Sequence, residues 1–340
     1  MKIKKISTFS MIGGMILVLG IIPAKAQTRH YYIAAEDGNW DFAPSGKNLV
    51  HCEEAAPCDI PAPWTESHSF PVTRFIQYEP DFKTPVPQPV WLGILGPIIR
   101  AEVGDTVKVH FCNHAKSPAG MHPHGFRYTK DNEGAHVFGA NTGSPPGAGA
   151  EVMPGQCFEY TWVADSGSGP AAGELSSKVW WYHSHIDEPE ETSKGLLGPI
   201  IITRKGAARP DGSPKDVDRE FVTAFFIFDK LKGEESGLMH SINGYIFGNL
   251  KGLVADKGNK VRWHVIGMGN EVDLHTPHWH GKTLKVGRGP VAQHTDLVQL
   301  LPGSMITADM QADNPGEWLY HCHVADHIDA GMFTTYQIKE

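Results

Sequence analysis

The chain has 340 residues, with 38 acids against 30 bases and a formal net charge of −8 at pH 7. Such a length supports two domains with proper cores. The acidic balance argues against nucleic acid as a partner, because binding phosphates needs a basic surface.

Residues 1–26 read as a secretory signal. Lys2, Lys4 and Lys5 give a positive start, Ile12 to Ile22 is apolar, and Ala24-Lys25-Ala26 makes a small-x-small cleavage site before Gln27. The apolar run is short for spanning a bilayer. Cleavage would remove four lysines and no acid, taking the charge from −8 to −12. The mature protein is therefore expected to be exported, periplasmic or secreted, with no membrane span.

Next come two related stretches. AEVGDTVKVHFCNHAKSPAGMHPHG (Ala101–Gly125) parallels ADKGNKVRWHVIGMGNEVDLHTPHWHG (Ala255–Gly281), and PGQCFEYTWVAD with VWWYHSHI (Pro154–Ile186) parallels Pro302–Val324. Short alternating strands such as Thr106–Phe111 and Val261–Ile266, cut by Gly, Pro, Asn and Asp turns, predict an all-β chain of antiparallel sandwiches. The repeat makes it two copies of one sandwich. Domain one is read as 27–204, a polar Pro/Gly linker as 205–220, and domain two as 221–340. The stretch Asn39–Pro89 has no counterpart in the second half and reads as strands and loops of domain one. Cys52, Cys58, Cys112 and Cys157 form an even set suited to an oxidising compartment. Cys52 with Cys58 would close a short loop, and Cys112 with Cys157 would staple two strands. Reduced, buried thiols are the alternative, and spacing does not choose.

Histidine, at 19 residues, carries the chemistry. Four clusters each hold an H-x-H pair: MHPHG (His122, His124), WYHSH (His183, His185), HTPHWHG (His275, His278, His280) and HCHVADH (His321, His323, His327). On an extended segment residues i and i+2 share a face and i+1 points away. The pairs thus give eight imidazoles facing one way. Cys322 lies opposite to its flanking histidines, and His275, an odd number of residues from His278, lies opposite to that pair. Cys322, His275, His327 and the thioether of Met332 then make a His2Cys site with a long axial Met, the electron-transfer copper type. The eight imidazoles belong to a second centre beside it. Structural zinc closes with four ligands and needs no such set. His30, His51, His68, His110, His114, His136, His240 and His264 read as structural or surface residues, and His294 has a better claim to line the copper region.

The four clusters, in order and across both halves, resemble the copper signatures of multicopper oxidases. GILGPIIRAEVGDTVKV and SHIDEPEETSKGLLGPIII are similar to ceruloplasmin, and the two-domain layout to bacterial small laccases. This resemblance implies two cupredoxin-like Greek-key β-sandwich domains in tandem. It implies type 1 copper on His275, Cys322, His327 and Met332, type 2 copper on His122 and His278, and two type 3 coppers on His124, His183, His185, His280, His321 and His323. That is four coppers per subunit equivalent. The repeat puts Ala119, Ser184, Pro189 and Lys194 where the second half has His275, Cys322, His327 and Met332. The type 1 site therefore belongs to domain two, the reverse of the related copper nitrite reductases.

The implied activity is laccase-like: one-electron oxidation of phenolic or aromatic donors at type 1 copper, with Cys322 wired through His321 and His323 to four-electron reduction of O2. Glu133, Asp131 and Asp187 are candidate proton donors. Ile328 stands where many relatives have a Glu after the second type 1 histidine. The resemblance also implies a homotrimer with clusters at subunit interfaces. The alternative is a metal oxidase acting on Fe(II), Cu(I) or Mn(II). The seven scattered methionines of the mature chain form no Met-rich insertion of the cuprous-oxidase kind, whereas the ceruloplasmin-like text points to iron. A non-catalytic electron carrier would leave eight histidines unexplained, and nitrite reduction conflicts with the type 1 placement.

Overall fold

A computed structural model describes residues 26–50, 58–135, 145–231, 237–269 and 273–340. The signal segment up to residue 25, His51, Cys52 and His136 lie outside the described residues.

The first half contributes β1 (Thr28–Asp41), β2 (Ser69–Tyr78), β3 (Ile99–Glu102), β4 (Thr106–Asn113), β5 (His122–Pro123), β6 (Cys157–Val163), β7 (Ser177–His183), a short helix α1 (Glu188–Lys194) and β8 (Leu197–Thr203). These form two four-stranded sheets, in the orders β2-β1-β4-β6 and β3-β8-β7-β5. The second half contributes β9 (Arg219–Asp229), β10 (Leu238–Ile242), β11 (Val254–Asp256), β12 (Lys260–Gly267), β13 (Pro277–Trp279), β14 (Leu284–Val286), β15 (Gln293–Thr295), β16 (Met305–Gln311), β17 (Gly316–Cys322), helix α2 (Ala325–Asp329) and β18 (Phe333–Lys339). Its sheets run β10-β9-β12-β16-β14-β15 and β11-β18-β17-β13. The architecture is all-β, and the period-two pattern explains why. In β4, Val107, Val109 and Phe111 are buried while Thr106, Lys108 and His110 alternate with them at partial exposure.

Strand register sets up the site. On β5 and β7, His122 stands opposite His183, and on β13 and β17, His278 stands opposite His321. The duplication thus brings two H-x-H sequences face to face at the end of each sandwich. Next to each lies a large apolar core. Phe75, Phe111, Tyr160 and Trp162 fill the first, and Phe221, Phe225, Trp263, Trp279 and Tyr320 the second. The second core continues into Phe42, Trp64, Trp91 and Trp181 of the first half.

Several loops differ from their sequence reading. The segment from residue 205 onward is tied down: Arg209 donates to the Val217 carbonyl at 2.9 Å, and Thr203 to the Gly212 carbonyl at 2.8 Å. Arg219 and Glu220 already belong to β9, where Glu220 bonds Arg100 at 2.8 Å and His264 at 2.9 Å. The Asn39–Pro89 stretch reaches across to the second sandwich. Trp40 donates to the Gly244 carbonyl at 2.7 Å, and the Asn249 carboxamide accepts from the Ser45 hydroxyl at 2.7 Å. His68 sits beside Asp41 at 2.6 Å. Cys112 and Cys157, opposite one another on β4 and β6, are joined by a disulfide, and Cys58 is also disulfide-bonded.

Candidate metal centre

Strand β17 ends at Cys322, and α2 returns His327 beneath it. Cys322 Sγ lies 3.5 Å from His327 Nδ1 and 4.0 Å from His275 Nδ1, and the two Nδ1 atoms are 3.2 Å apart. One ion about 2 Å from each nitrogen and slightly farther from sulfur spans such a triangle. All three side chains are buried, as is Met332, whose carbonyl accepts the Cys322 N–H at 3.0 Å. Burial pushes the Cys322 thiol up, with a smaller opposing pull from the Thr276 N–H, which donates to Sγ at 3.3 Å. Burial, then the neighbouring His240 and His275, pushes His327 down to about 4. One buried thiol and two buried imidazoles turned on a common point, with a thioether close by, make a donor set completed by a soft or borderline metal, and copper suits it.

Two residues of this site escaped the sequence reading. Asp273, wholly buried, accepts from His275 Nε2 at 3.2 Å and from the Ile227 N–H at 2.8 Å. It fixes the ring with Nδ1 turned to the thiol. The signal was its place two residues before His275. His240, read as structural or surface, is buried, and its ring lies 4.8 Å from that of His327, a neighbourhood the sequence reading did not give it. Its position on β10, far away in sequence, concealed this. A cavity of about 390 Å³ opens here, lined by Leu238, His240, Leu274, Val324, Asp326, His327 and Ala330.

The other eight imidazoles form two sets of four. In the first, His124 and His183 face each other through Nε2 at 3.2 Å, and the His122 ring lies 5.1 Å from His185. In the second, His280 and His321 face each other through Nε2 at 3.1 Å, with His278 5.5 Å from His323. The Nδ1 atoms repeat as well. His122 and His278 bond the carbonyls of Glu133 (2.7 Å) and Asp296 (2.9 Å), while His183 and His321 bond those of Ser184 (2.9 Å) and Cys322 (2.7 Å). A carbonyl only accepts, so each Nδ1 carries the proton and each Nε2 keeps its lone pair for a metal. Burial, helped by neighbouring imidazoles, lowers His183 to about 3 and His124 to about 4; burial likewise lowers His321 to about 4.

The acids near the first set are arranged differently from the sequence expectation. Glu133 pairs with Lys130, and Asp131 accepts the Ala148 N–H at 3.0 Å. Asp187 precedes α1, its N–H bonded to Glu191 at 3.2 Å. The carboxylate that reaches the histidines is Glu188, 3.4 Å from His185 Nε2 and 3.8 Å from His183 Nδ1. Trp181 stacks on His183 at 4.4 Å. His294 stands exposed on β15 opposite Lys285, outside these groups.

Two family models, both described as multicopper oxidase, match residues 90–207 and 223–340. Ferroxidase HEPHL1 of Mus musculus is 34% identical over 96% of this chain and 31% of its own length. Human hephaestin is 34% identical over 92% of this chain and 29% of its own. Human ceruloplasmin is 34% identical over 97% and 33%. The chain thus spans about a third of these relatives. Among solved structures, one described as a multicopper oxidase superposes with a TM-score of 0.63 at 20% identity, covering 92% of this chain and 89% of that one. A blue copper oxidase from Nitrosomonas europaea gives 0.59 at 21%, covering 92% and 86%. At such identity these two speak for the cupredoxin-like fold alone.

Proposed function

The chain belongs to the multicopper oxidase family, and from that premise we propose that it is a metal-ion oxidase, taking electrons from Fe(II) and passing them to O2. The observation that carries this reading is the cavity beside His327. It offers an imidazole, His240, and a carboxylate, Asp326, next to a proposed type 1 ligand. Nitrogen and oxygen donors of this kind suit a divalent first-row ion. The relative named a ferroxidase supports the same choice over the laccase-like one.

In this proposal His275, Cys322, His327 and Met332 hold type 1 copper. His122 and His278 hold type 2 copper, and His124, His183, His185, His280, His321 and His323 hold the type 3 pair, giving four coppers per subunit equivalent. Copper in these sites supplies one-electron acceptance and the reduction of O2 to water. The protein's part is to hold the acceptor ligands buried, keep the imidazoles neutral and join the centres through the backbone from Cys322 to His321 and His323. Each set of four histidines is half of the proposed cluster. We place the missing half on a second copy, domain one of one subunit meeting domain two of the next in a homotrimer. Export fits the Cys112–Cys157 disulfide.

A laccase-like reading is the second one, favoured by the apolar part of the same cavity: Leu238, Leu274, Val324 and Ala330. Oxygen uptake by the copper-loaded protein separates the two. Fe(II) is expected to be the better donor by kcat/KM than Cu(I) or a simple phenol. His240→Ala is expected to raise KM for Fe(II) about tenfold while changing phenol oxidation little. A phenol preference with an indifferent His240→Ala variant would favour the laccase-like reading.

A further inference from the structure

The duplication allows the two strand ends carrying an H-x-H sequence to be compared atom by atom. In the second sandwich Cys322 lies between His321 and His323. Its N–H bonds the Met332 carbonyl at 3.0 Å, and its Sγ accepts the Thr276 N–H at 3.3 Å and faces His327 Nδ1 at 3.5 Å. In the first sandwich Ser184 lies between His183 and His185. Its N–H bonds the Leu196 carbonyl at 3.1 Å, and its Oγ accepts the N–H of Gly120, the counterpart of Thr276, at 3.0 Å. A hydroxyl occupies the place of the sulfur.

What faces that atom differs. Strand register corrects the sequence alignment here: Leu196, not Lys194, stands where Met332 does, and Glu191, not Pro189, where His327 does, so with Ala119 and Ser184 no His2Cys–Met set is present. Instead the carboxylate of Glu191, on α1 and 7% exposed, turns into the space. It accepts the N–H groups of Ile186 at 3.1 Å and Asp187 at 3.2 Å, and it bonds the Ser184 hydroxyl. Buried carboxylates persist where such donors satisfy them, and hydrogen bonds to a charged acceptor are the strong ones. The three anchor points bracket His185, and the Ser184 carbonyl in turn holds His183 Nδ1 at 2.9 Å.

We propose that Glu191 is a positioning residue for His183 and His185, tying their strand end to α1 with hydrogen bonds where the second sandwich ties Cys322 to His327 through a metal. The carboxylate has replaced a metal tie that the first sandwich lacks, and the histidines stay oriented whether or not copper is present.

The test uses the full-length protein with Glu191→Ala, Glu191→Gln and Ser184→Ala. Glutamine keeps an acceptor for both N–H groups, and Ser184→Ala removes one of the three anchors, so either variant serves if Glu191→Ala does not fold. In the copper-free protein, amide hydrogen exchange at Ile186 and Asp187 is expected to accelerate tenfold or more in Glu191→Ala, less in Ser184→Ala, and little in Glu191→Gln. This measurement does not depend on the proposed function. In the copper-loaded protein, which does rest on that reading, Glu191→Ala is expected to lose at least half of its type 2 and type 3 copper with the blue type 1 band retained, and Glu191→Gln to restore both. Unchanged exchange in Glu191→Ala overturns the proposal. So does a glutamine variant that holds all its copper in place but no longer reduces O2, since the carboxyl would then act through its proton.

Discussion

Asp273 is the residue on which the geometry of the proposed copper-acceptor site turns. With His275 Nε2 bonded to a buried carboxylate, the ring cannot rotate its Nδ1 away from Cys322 without giving up that bond. Outer-shell partners of this kind are worth about 10–100-fold in metal affinity. Asp273→Ala is therefore expected to weaken copper binding at the Cys322 site by about that factor, read by titrating the blue band against a competing chelator. The neutral imidazoles carry a pH consequence of known sign. His124, His321 and His327 sit near 4 and His183 near 3, all below the unfolded value of about 6.5. As pH falls from 6.5 toward 4 the unfolded chain takes up protons that the folded chain refuses, so stability drops. The copper-free protein is expected to lose melting temperature across that window. The copper-loaded protein, more stable at pH 6.5, should lose more across the same window, because bound metal keeps still more of the folded chain's nitrogens from taking up protons and its affinity falls with pH. A melting temperature of the copper-free protein that stays flat from pH 6.5 to 4 would contradict this.

Strands and helices decide how much of this was legible beforehand. The alternation in His321-Cys322-His323 is visible in the letters, and in the structure the thiol does turn toward His275 and His327, away from its flanking imidazoles. An H-x-H sequence says that two rings share a face, whereas the carbonyls that fix Nδ1 of His122 and His278 come from residues 11 and 18 positions away and carry no side-chain signature. His240 was hidden for a similar reason, since β10 meets α2 only through the packing of the second sandwich. Pairing of Cys112 with Cys157 was one of several possibilities until β4 and β6 proved to be neighbours. That tie spans 45 residues, and loop-closure entropy alone sets its worth at about 4 kcal/mol. Replacing both cysteines with alanine is expected to lower the unfolding free energy by up to about that amount in a denaturant titration. A loss under about 1 kcal/mol would mean that the sheet hydrogen bonds already restrain the unfolded ensemble.

At the scale of the molecule, the two sandwiches are fastened by more than a connecting segment. Arg262, fully buried, binds Asp309 through two bonds of 2.6 and 2.9 Å and reaches Ser176 and Ser177 of the first half at 2.6 and 2.9 Å. Trp40 and Phe42 add an apolar clasp on the other side, with Phe42 5.1 Å from Phe228. Such a joint resists the hinge motion that would bring one histidine set onto the other within a chain. Each set closes on its own side chains, with rings about 5 Å apart inside a set and no ring contact or hydrogen bond between sets among the described residues. If a neighbouring copy completes each cluster, two crippled chains should rescue one another. A variant with His122→Ala and His124→Ala keeps an intact second set and the Cys322 site. A variant with His278→Ala and His280→Ala keeps an intact first set. Neither alone is expected to consume oxygen. Unfolded or dissociated together and reassembled in equal amounts, random mixing makes about a quarter of the head-to-tail interfaces whole. Oxygen uptake should then return to roughly a quarter of the unmodified protein's rate. A mixture as inactive as its parents, with exchange of subunits verified by mass, would place both halves of the cluster on one chain.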